Sequence, residues 1–78
     1  MKKNISILGS TGSIGLTSLK IIAKRRQFFE INTLAARKNY KLICKQIKQF
    51  KPKNYVITDK KTYLRIVNYL IILLTSLR

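Results

Sequence analysis

Seventy-eight residues, 46% of them apolar, can build one small hydrophobic core and are too apolar for a disordered tail. Seventeen Lys and Arg stand against Glu30 and Asp59 alone, for a formal net charge of +15. With no His, a lone cysteine (Cys44) and two isolated carboxylates, the chain excludes a His base, an intrachain disulfide, a CxxC site and a multi-acid metal centre.

The charge raises nucleic acid or an anionic membrane surface as partners. The cations spread over every segment, however, and heavy use of Lys, Ile, Asn and Tyr is what an AT-rich genome writes. We read the excess as solvated surface and expect neither a nucleic-acid nor a membrane partner. The apolar stretch behind Met1-Lys2-Lys3 stops at Gly9, too short for a signal-peptide core, so a cytoplasmic protein is expected.

Residues 5–8 are nearly all apolar and predict a strand covered on both faces. From Ser13 to about residue 26, Leu16, Leu19, Ile22 and Ala23 recur at helical spacing, and Lys24, Arg25 and Arg26 suit the negative end of the helix dipole. Phe28 and Phe29 are expected to cap the core beside that end. Residues 30–36, rich in β-branched side chains, predict a second strand. Over residues 40–50, Tyr40, Ile43, Ile47 and Phe50 form one stripe with Lys41, Lys45 and Lys48 off it, a second helix that Pro52 stops. Cys44 falls in this helix and reads as a small buried hydrophobe rather than a nucleophile. Residues 54–58 predict a third strand, and Asp59 is the N-cap candidate for a helix over residues 60–74. The order βαβαβα places the chain in the α/β class, as part of a Rossmann-like, doubly wound parallel sheet with right-handed crossovers. Residues 70–74 are apolar throughout, but Arg65 and Asn68 interrupt the run leading to them, so a buried helix is expected rather than a membrane anchor.

The spacing Gly9-x-x-Gly12-x-x-Gly15 after the first strand is the chemically informative feature. Gly9 lets the strand turn, Gly12 lets backbone approach a pyrophosphate, and Gly15 lets the helix pack close to the sheet. The helix that follows points its positive end at the anion. The hydroxyls of Ser10, Thr11 and Ser13 are candidates to cap the helix or bond phosphate oxygens. At the end of the second strand an NAD site carries an acid for the ribose hydroxyls, whereas here the stretch runs Leu34-Ala35-Ala36-Arg37-Lys38-Asn39. Two cations without an acid argue for a 2′-phosphate, hence NADP(H). No Tyr is followed four residues later by Lys, and the Ser and Thr lack a partner base, so these residues carry no evident catalytic machinery.

The stretch Leu8-Gly9-Ser10-Thr11-Gly12-Ser13-Ile14-Gly15 resembles the opening loop of the 1-deoxy-D-xylulose 5-phosphate reductoisomerases. Phe29 and a strand ending Leu34-Ala35-Ala36 keep register with that family, Lys38-Asn39 resembles its Gly-Lys-Asn, and Phe50-Lys51-Pro52 with Val56 and Asp59 resembles its third-strand region. The likeness runs from about Met1 to Leu64. It implies an oxidoreductase of the non-mevalonate route of isoprenoid biosynthesis. Such an enzyme rearranges 1-deoxy-D-xylulose 5-phosphate and reduces the product with NADPH to 2-C-methyl-D-erythritol 4-phosphate. The family is homodimeric and requires Mg2+ or Mn2+, held by acids of a later domain.

By the same resemblance Thr11, Gly12, Ser13 and Ile14 contact the pyrophosphate, and Lys38 and Asn39 lie near the adenosine ribose phosphate. With Gly9 and Arg37 these make the expected cofactor site. Arg37 stands where the family has glycine, either adding a cation for the 2′-phosphate or crowding the adenosine pocket. Residues 1–78 are expected to be the N-terminal part of an NADP(H)-binding domain, with the apolar helix over about residues 66–78 departing from the family. The expected chain is truncated, binds NADPH weakly or not at all, and turns over no substrate alone. Two rival readings stand beside it: the first domain of another NADP-dependent dehydrogenase, such as one resembling aspartate-semialdehyde dehydrogenase, and a small basic protein that binds nucleic acid or membrane surfaces.

Overall fold

A computed structural model describes residues 2–76, with side-chain surroundings up to Ile72; residues 77 and 78, and the side chains of the final apolar run from residue 73, lie outside the described residues. The elements follow the predicted order: β1 (Lys3–Leu8), α1 (Ser13–Lys24), β2 (Phe29–Ala36), α2 (Tyr40–Phe50), β3 (Asn54–Ile57) and α3 (Lys60–Ser76). The strands form one parallel sheet in the order β1-β2-β3, with β2 central.

The core follows from how β2 is paired. Ile5 sits opposite Ile31, but Ser6 sits opposite Thr33, so Asn32 is the extra residue of a bulge. The bulge restarts the alternation and puts Ile31 and Leu34, three residues apart, on the same face. Against them pack Leu19 and Ile22 of α1 and Phe50 of α2, with Ile5 and Ile7 of β1 alongside. Further along, Ala36, Ile43, Cys44 and Ile66 form a second cluster that joins α2 and α3 to the sheet. Leu34 and Ile43 are fully buried, and each such side chain contributes about 1.5–3 kcal/mol relative to exposure. Cys44 is buried, as its place on the α2 pattern predicts.

Two successive right-handed crossovers that step in the same direction lay α1 and α2 on one face of the sheet. The opposite face is therefore open among the described residues. Leu8 is 83% exposed and Val56 50% exposed, which corrects the expectation that β1 is covered on both sides. Phe29 packs against the core as expected, whereas Phe28 lies in the turn after α1 and is 53% exposed.

Local chemistry sets the helix ends. Asn39 caps α2, its Oδ1 accepting the Leu42 N–H at 3.3 Å. The helix ends at Lys51 in the left-handed conformation (φ 46°), and Pro52 forbids continuation. Asp59 caps α3 as predicted: its Oδ2 accepts the Thr62 N–H at 3.1 Å and the Thr62 hydroxyl at 2.8 Å.

Candidate functional site

In a parallel sheet all strands end at one edge, so the segments after β1, β2 and β3 share a rim. The glycine-spaced turn occupies the first position on it. Gly9 has φ +74°, a conformation that costs an L-residue roughly 1–2 kcal/mol and glycine nothing. The N–H groups of Gly9 and Ser10 both donate to the Ala35 carbonyl, at 2.8 and 2.9 Å, which fastens the turn to the end of β2. Gly12 N–H then donates back to the Gly9 carbonyl at 3.0 Å and closes the turn.

Helix α1 begins directly on top of this turn. A Cβ on Gly15 would lie 2.1 Å from the Gly9 oxygen and 2.8 Å from Ser10 Cα, so only glycine permits the approach. Gly12 is the N-cap residue, extended (φ −80°, ψ 173°) and exposed, and no side chain caps the helix. The N–H groups of the first turn have no acceptor inside the helix. They carry the positive end of the helix dipole, roughly half an elementary charge. Ser13 and Ile14 are exposed here, Ile14 to 85%, and Thr11 is half-buried. The terminus therefore leaves its donors open, the geometry that suits an anion.

The Ser10 hydroxyl is a correction to the sequence reading. Ser10 is fully buried and turns inward, away from the open side of the turn. Its Oγ, the Tyr55 hydroxyl and Gln46 Oε1 lie within 2.6–2.8 Å of one another, and the two hydroxyl protons serve two of the three contacts at a time, with Gln46 Oε1 accepting. Gln46 Nε2 donates to the Ser10 carbonyl at 2.8 Å. Burial pushes the Tyr55 phenol above its ordinary pKa, and the Ser10 contact offsets part of that rise. Sequence reasoning missed Gln46 and Tyr55. The signal for Gln46 was present, because a polar residue stands on the buried stripe between Ile43 and Phe50.

The second position on the rim holds Arg37, Lys38 and Asn39, all exposed. The Asp59 N–H donates to the Arg37 carbonyl and the Thr58 N–H to the Ala36 carbonyl, both at 3.1 Å, so the start of α3 is stitched to this segment. Hydrogen bonds from Thr62 hold the Asp59 carboxyl below the usual carboxylate range against the opposing effect of burial, and Lys38 and Arg37 add to the lowering. Asn39 spends its side-chain oxygen on the α2 cap. The fold thus brings Gly9, Thr11, Gly12, Ser13 and Ile14 to one end of the sheet with Arg37, Lys38 and Asn39, as parallel pairing of β1 with β2 requires.

The family model for 1-deoxy-D-xylulose 5-phosphate reductoisomerase matches residues 5–73, which takes in much of the C-terminal stretch set apart above. The chain belongs to the 1-deoxy-D-xylulose 5-phosphate reductoisomerase family. The reductoisomerase of Pelagibacter ubique is 48% identical over 62 residues, a match covering 80% of this chain and 16% of that protein. That of Clostridium acetobutylicum is 40% identical over 67 residues, covering 86% of this chain and 17% of the relative. A solved reductoisomerase from Zymomonas mobilis, in complex with NADPH, superposes with a TM-score of 0.83 at 28% identity, over 90% of this chain and 18% of that one. The chain therefore spans about a sixth of the length of the curated reductoisomerases it matches. Membership sets aside both rival readings, the other dehydrogenase and the basic binding protein. Among the described residues no helix is long and apolar enough to cross a membrane.

Proposed function

We propose that this chain supplies the NADPH-gripping portion of a 1-deoxy-D-xylulose 5-phosphate reductoisomerase. The carrying observation is the open, uncapped N-terminus of α1 on its glycine turn, at the same sheet edge as Arg37 and Lys38. The residues present fit the cofactor. The exposed Gly12 leaves room for a diphosphate, and the first-turn amides of Ser13 and Ile14 supply donors. Thr11 flanks the same turn. Arg37 and Lys38 supply charge for a 2′-phosphate, and Asn39 orders the segment that carries them. When bound, NADPH supplies a hydride. This chain's own residues bind and orient it.

The divalent metal implied by the family finds no fitting donor set among the described residues. Glu30 stands near the start of β2, 3.9 Å from Lys53, whereas Asp59 follows β3 at the opposite edge of the sheet. No metal-dependent step is assigned to these residues. Reduction and isomerisation of 1-deoxy-D-xylulose 5-phosphate in isoprenoid synthesis belong to an assembly that includes acids beyond these two, and a cytoplasmic homodimer fits that reading. Alone, the chain is expected to bind NADPH weakly and to turn over no substrate.

The test is calorimetric titration of the chain with NADPH and NADH. NADPH is expected to bind more tightly than NADH, and Arg37→Ala with Lys38→Ala is expected to erase the difference while leaving residual binding of both. Equal affinities for the two cofactors in the unmodified chain would refute the 2′-phosphate assignment. No affinity for either would refute the claim that these residues alone grip the cofactor.

A further inference from the structure

The turn that presents the amides is built mostly from residues with little side chain to anchor it. Gly9 and Gly12 are exposed, and a Cβ at Gly9 would touch nothing within 4 Å. Ser10 is the one residue between Gly9 and Gly12 that is fully buried. Its hydroxyl and its carbonyl meet one side chain from 36 positions further along the sequence: Gln46 accepts from the hydroxyl and donates to the carbonyl. Tyr55 closes the triangle from β3. No buried side-chain nitrogen or oxygen is left unpartnered among the described residues. A glutamine fits because it offers a donor and an acceptor side by side. A glutamate lacks the donor, and a methionine lacks both.

From this we infer that Gln46, backed by Tyr55, is a positioning residue that sets the aim of the diphosphate-binding turn by clamping Ser10. The inference rests on the NADPH reading above. It separates two functions on the rim. The clamp governs grip on the diphosphate, which NADPH and NADH share, whereas Arg37 and Lys38 govern the choice between them. A residue that only supported the fold would lower melting temperature and change neither the turn amides nor affinity in this pattern.

The experiment compares the chain with Gln46→Met, Gln46→Glu, Tyr55→Phe and a control, Ile66→Val, a buried apolar side chain of the second cluster that takes no part in the Ser10–Gln46–Tyr55 hydrogen bonds. Three readouts are taken: thermal melting, hydrogen exchange of the amides from Thr11 to Ile14, and calorimetric titration with NADPH and with NADH. Both Gln46 variants are expected to speed exchange of those amides and to weaken both cofactors by the same factor, about tenfold, the scale of one or two lost hydrogen bonds. The preference for NADPH is expected to stay unchanged. Ile66→Val is expected to lower the melting temperature without moving either readout of the turn. Should Gln46→Met fail to fold, Tyr55→Phe removes one hydroxyl only and is expected to show the same pattern at smaller size. Wild-type exchange rates in a folded Gln46→Met chain overturn the clamp. So does a loss of affinity that Ile66→Val reproduces at equal loss of melting temperature. If the unmodified chain binds neither cofactor, the claim that these residues alone grip NADPH falls and takes the cofactor half of this inference with it, while the exchange rates still decide whether Gln46 orders the turn.

Discussion

Gly15→Ala tests the contact on which the site is built. The added methyl would lie 2.1 Å from the Gly9 oxygen, 2.8 Å from Ser10 Cα and 2.9 Å from the Gly9 carbonyl carbon. All three are backbone atoms, so no flexible side chain can swing away. Relief requires α1 to lift from the turn by about an ångström or more, and that movement loosens Leu19 and Ile22 from Ile31 and Leu34. Forcing a methyl into a packed site costs about 1–3 kcal/mol, and contact with rigid backbone puts this case at or above the top of that range. Alanine in place of a helical glycine returns at most about 1 kcal/mol, and Gly15 lies in the first turn of α1. A net loss of about 2 kcal/mol corresponds to a fall in melting temperature of roughly 8–16 °C for a domain of this size. The assay is thermal melting followed by circular dichroism, run beside Gly12→Ala. There the methyl meets only the Gly9 oxygen, at 3.4 Å, on an exposed residue already in an extended conformation. Gly12→Ala is expected to melt within a few degrees of the parent while weakening NADPH, because its methyl stands where the diphosphate approaches. If Gly15→Ala melts at or above the parent, helix propensity outweighs the clash and the argument from close approach is wrong.

Lys51→Gly removes a left-handed conformation from a residue with a side chain (φ 46°) and is expected to stabilise the chain by about 1 kcal/mol, seen as a rise in melting temperature. An unchanged or lower value would show that the strain is absent. Leu34→Ala deletes a fully buried side chain at the centre of the sheet, at a cost of about 2–5 kcal/mol against a total of about 4–12 kcal/mol for a domain of this length; chemical denaturation measures the loss, and one below about 1 kcal/mol would contradict the core assignment. Asp59→Asn probes the α3 cap through pH. Because the Thr62 hydrogen bonds depress the Asp59 pKa in the folded state, the carboxylate adds stability above its unfolded value, near 3.8, and loses it as pH falls through the lower folded value. The gap in melting temperature between parent and variant is therefore expected to be full at neutral pH and to close in acid, and a gap constant with pH would refute the linkage.

The elements and their order were legible because each carries a local signal. The α2 stripe, the Asn39 and Asp59 caps and the Pro52 stop all act within a few residues of the backbone they shape. What escaped depends on pairing across the chain. The bulge at Asn32 that aligns Ile31 with Leu34 exists only once β1 and β2 are in register. The exposure of Leu8 depends on which face the crossovers cover, which an apolar run does not reveal. Ser10 shows the same limit at the site. Its neighbours in sequence suggest a phosphate-facing hydroxyl, yet partners 36 and 45 residues away turn it inward.

The net charge of +15 explains little of the proposed selectivity, and the rim shows why. Asp59, one of only two acids, lies close enough to Arg37 and Lys38 for both to lower its pKa. Its carboxylate offsets part of their field where a 2′-phosphate would be read. Cations elsewhere, such as those along the exposed side of α2, lie in solvent where salt screens them over about 10 Å at moderate ionic strength. On the proposed reading, a preference for NADPH over NADH comes from Arg37 and Lys38 reaching phosphate oxygens directly rather than from the overall charge alone. A general electrostatic pull would also favour NADPH through the added charge of its 2′-phosphate, and that share of the preference would vanish as salt screens it. A preference built on direct contacts would shrink with salt but leave a residual ratio at high ionic strength. The ratio of the two affinities that remains at the high end of a salt series thus reports on the contacts themselves and not on the basic character of the chain.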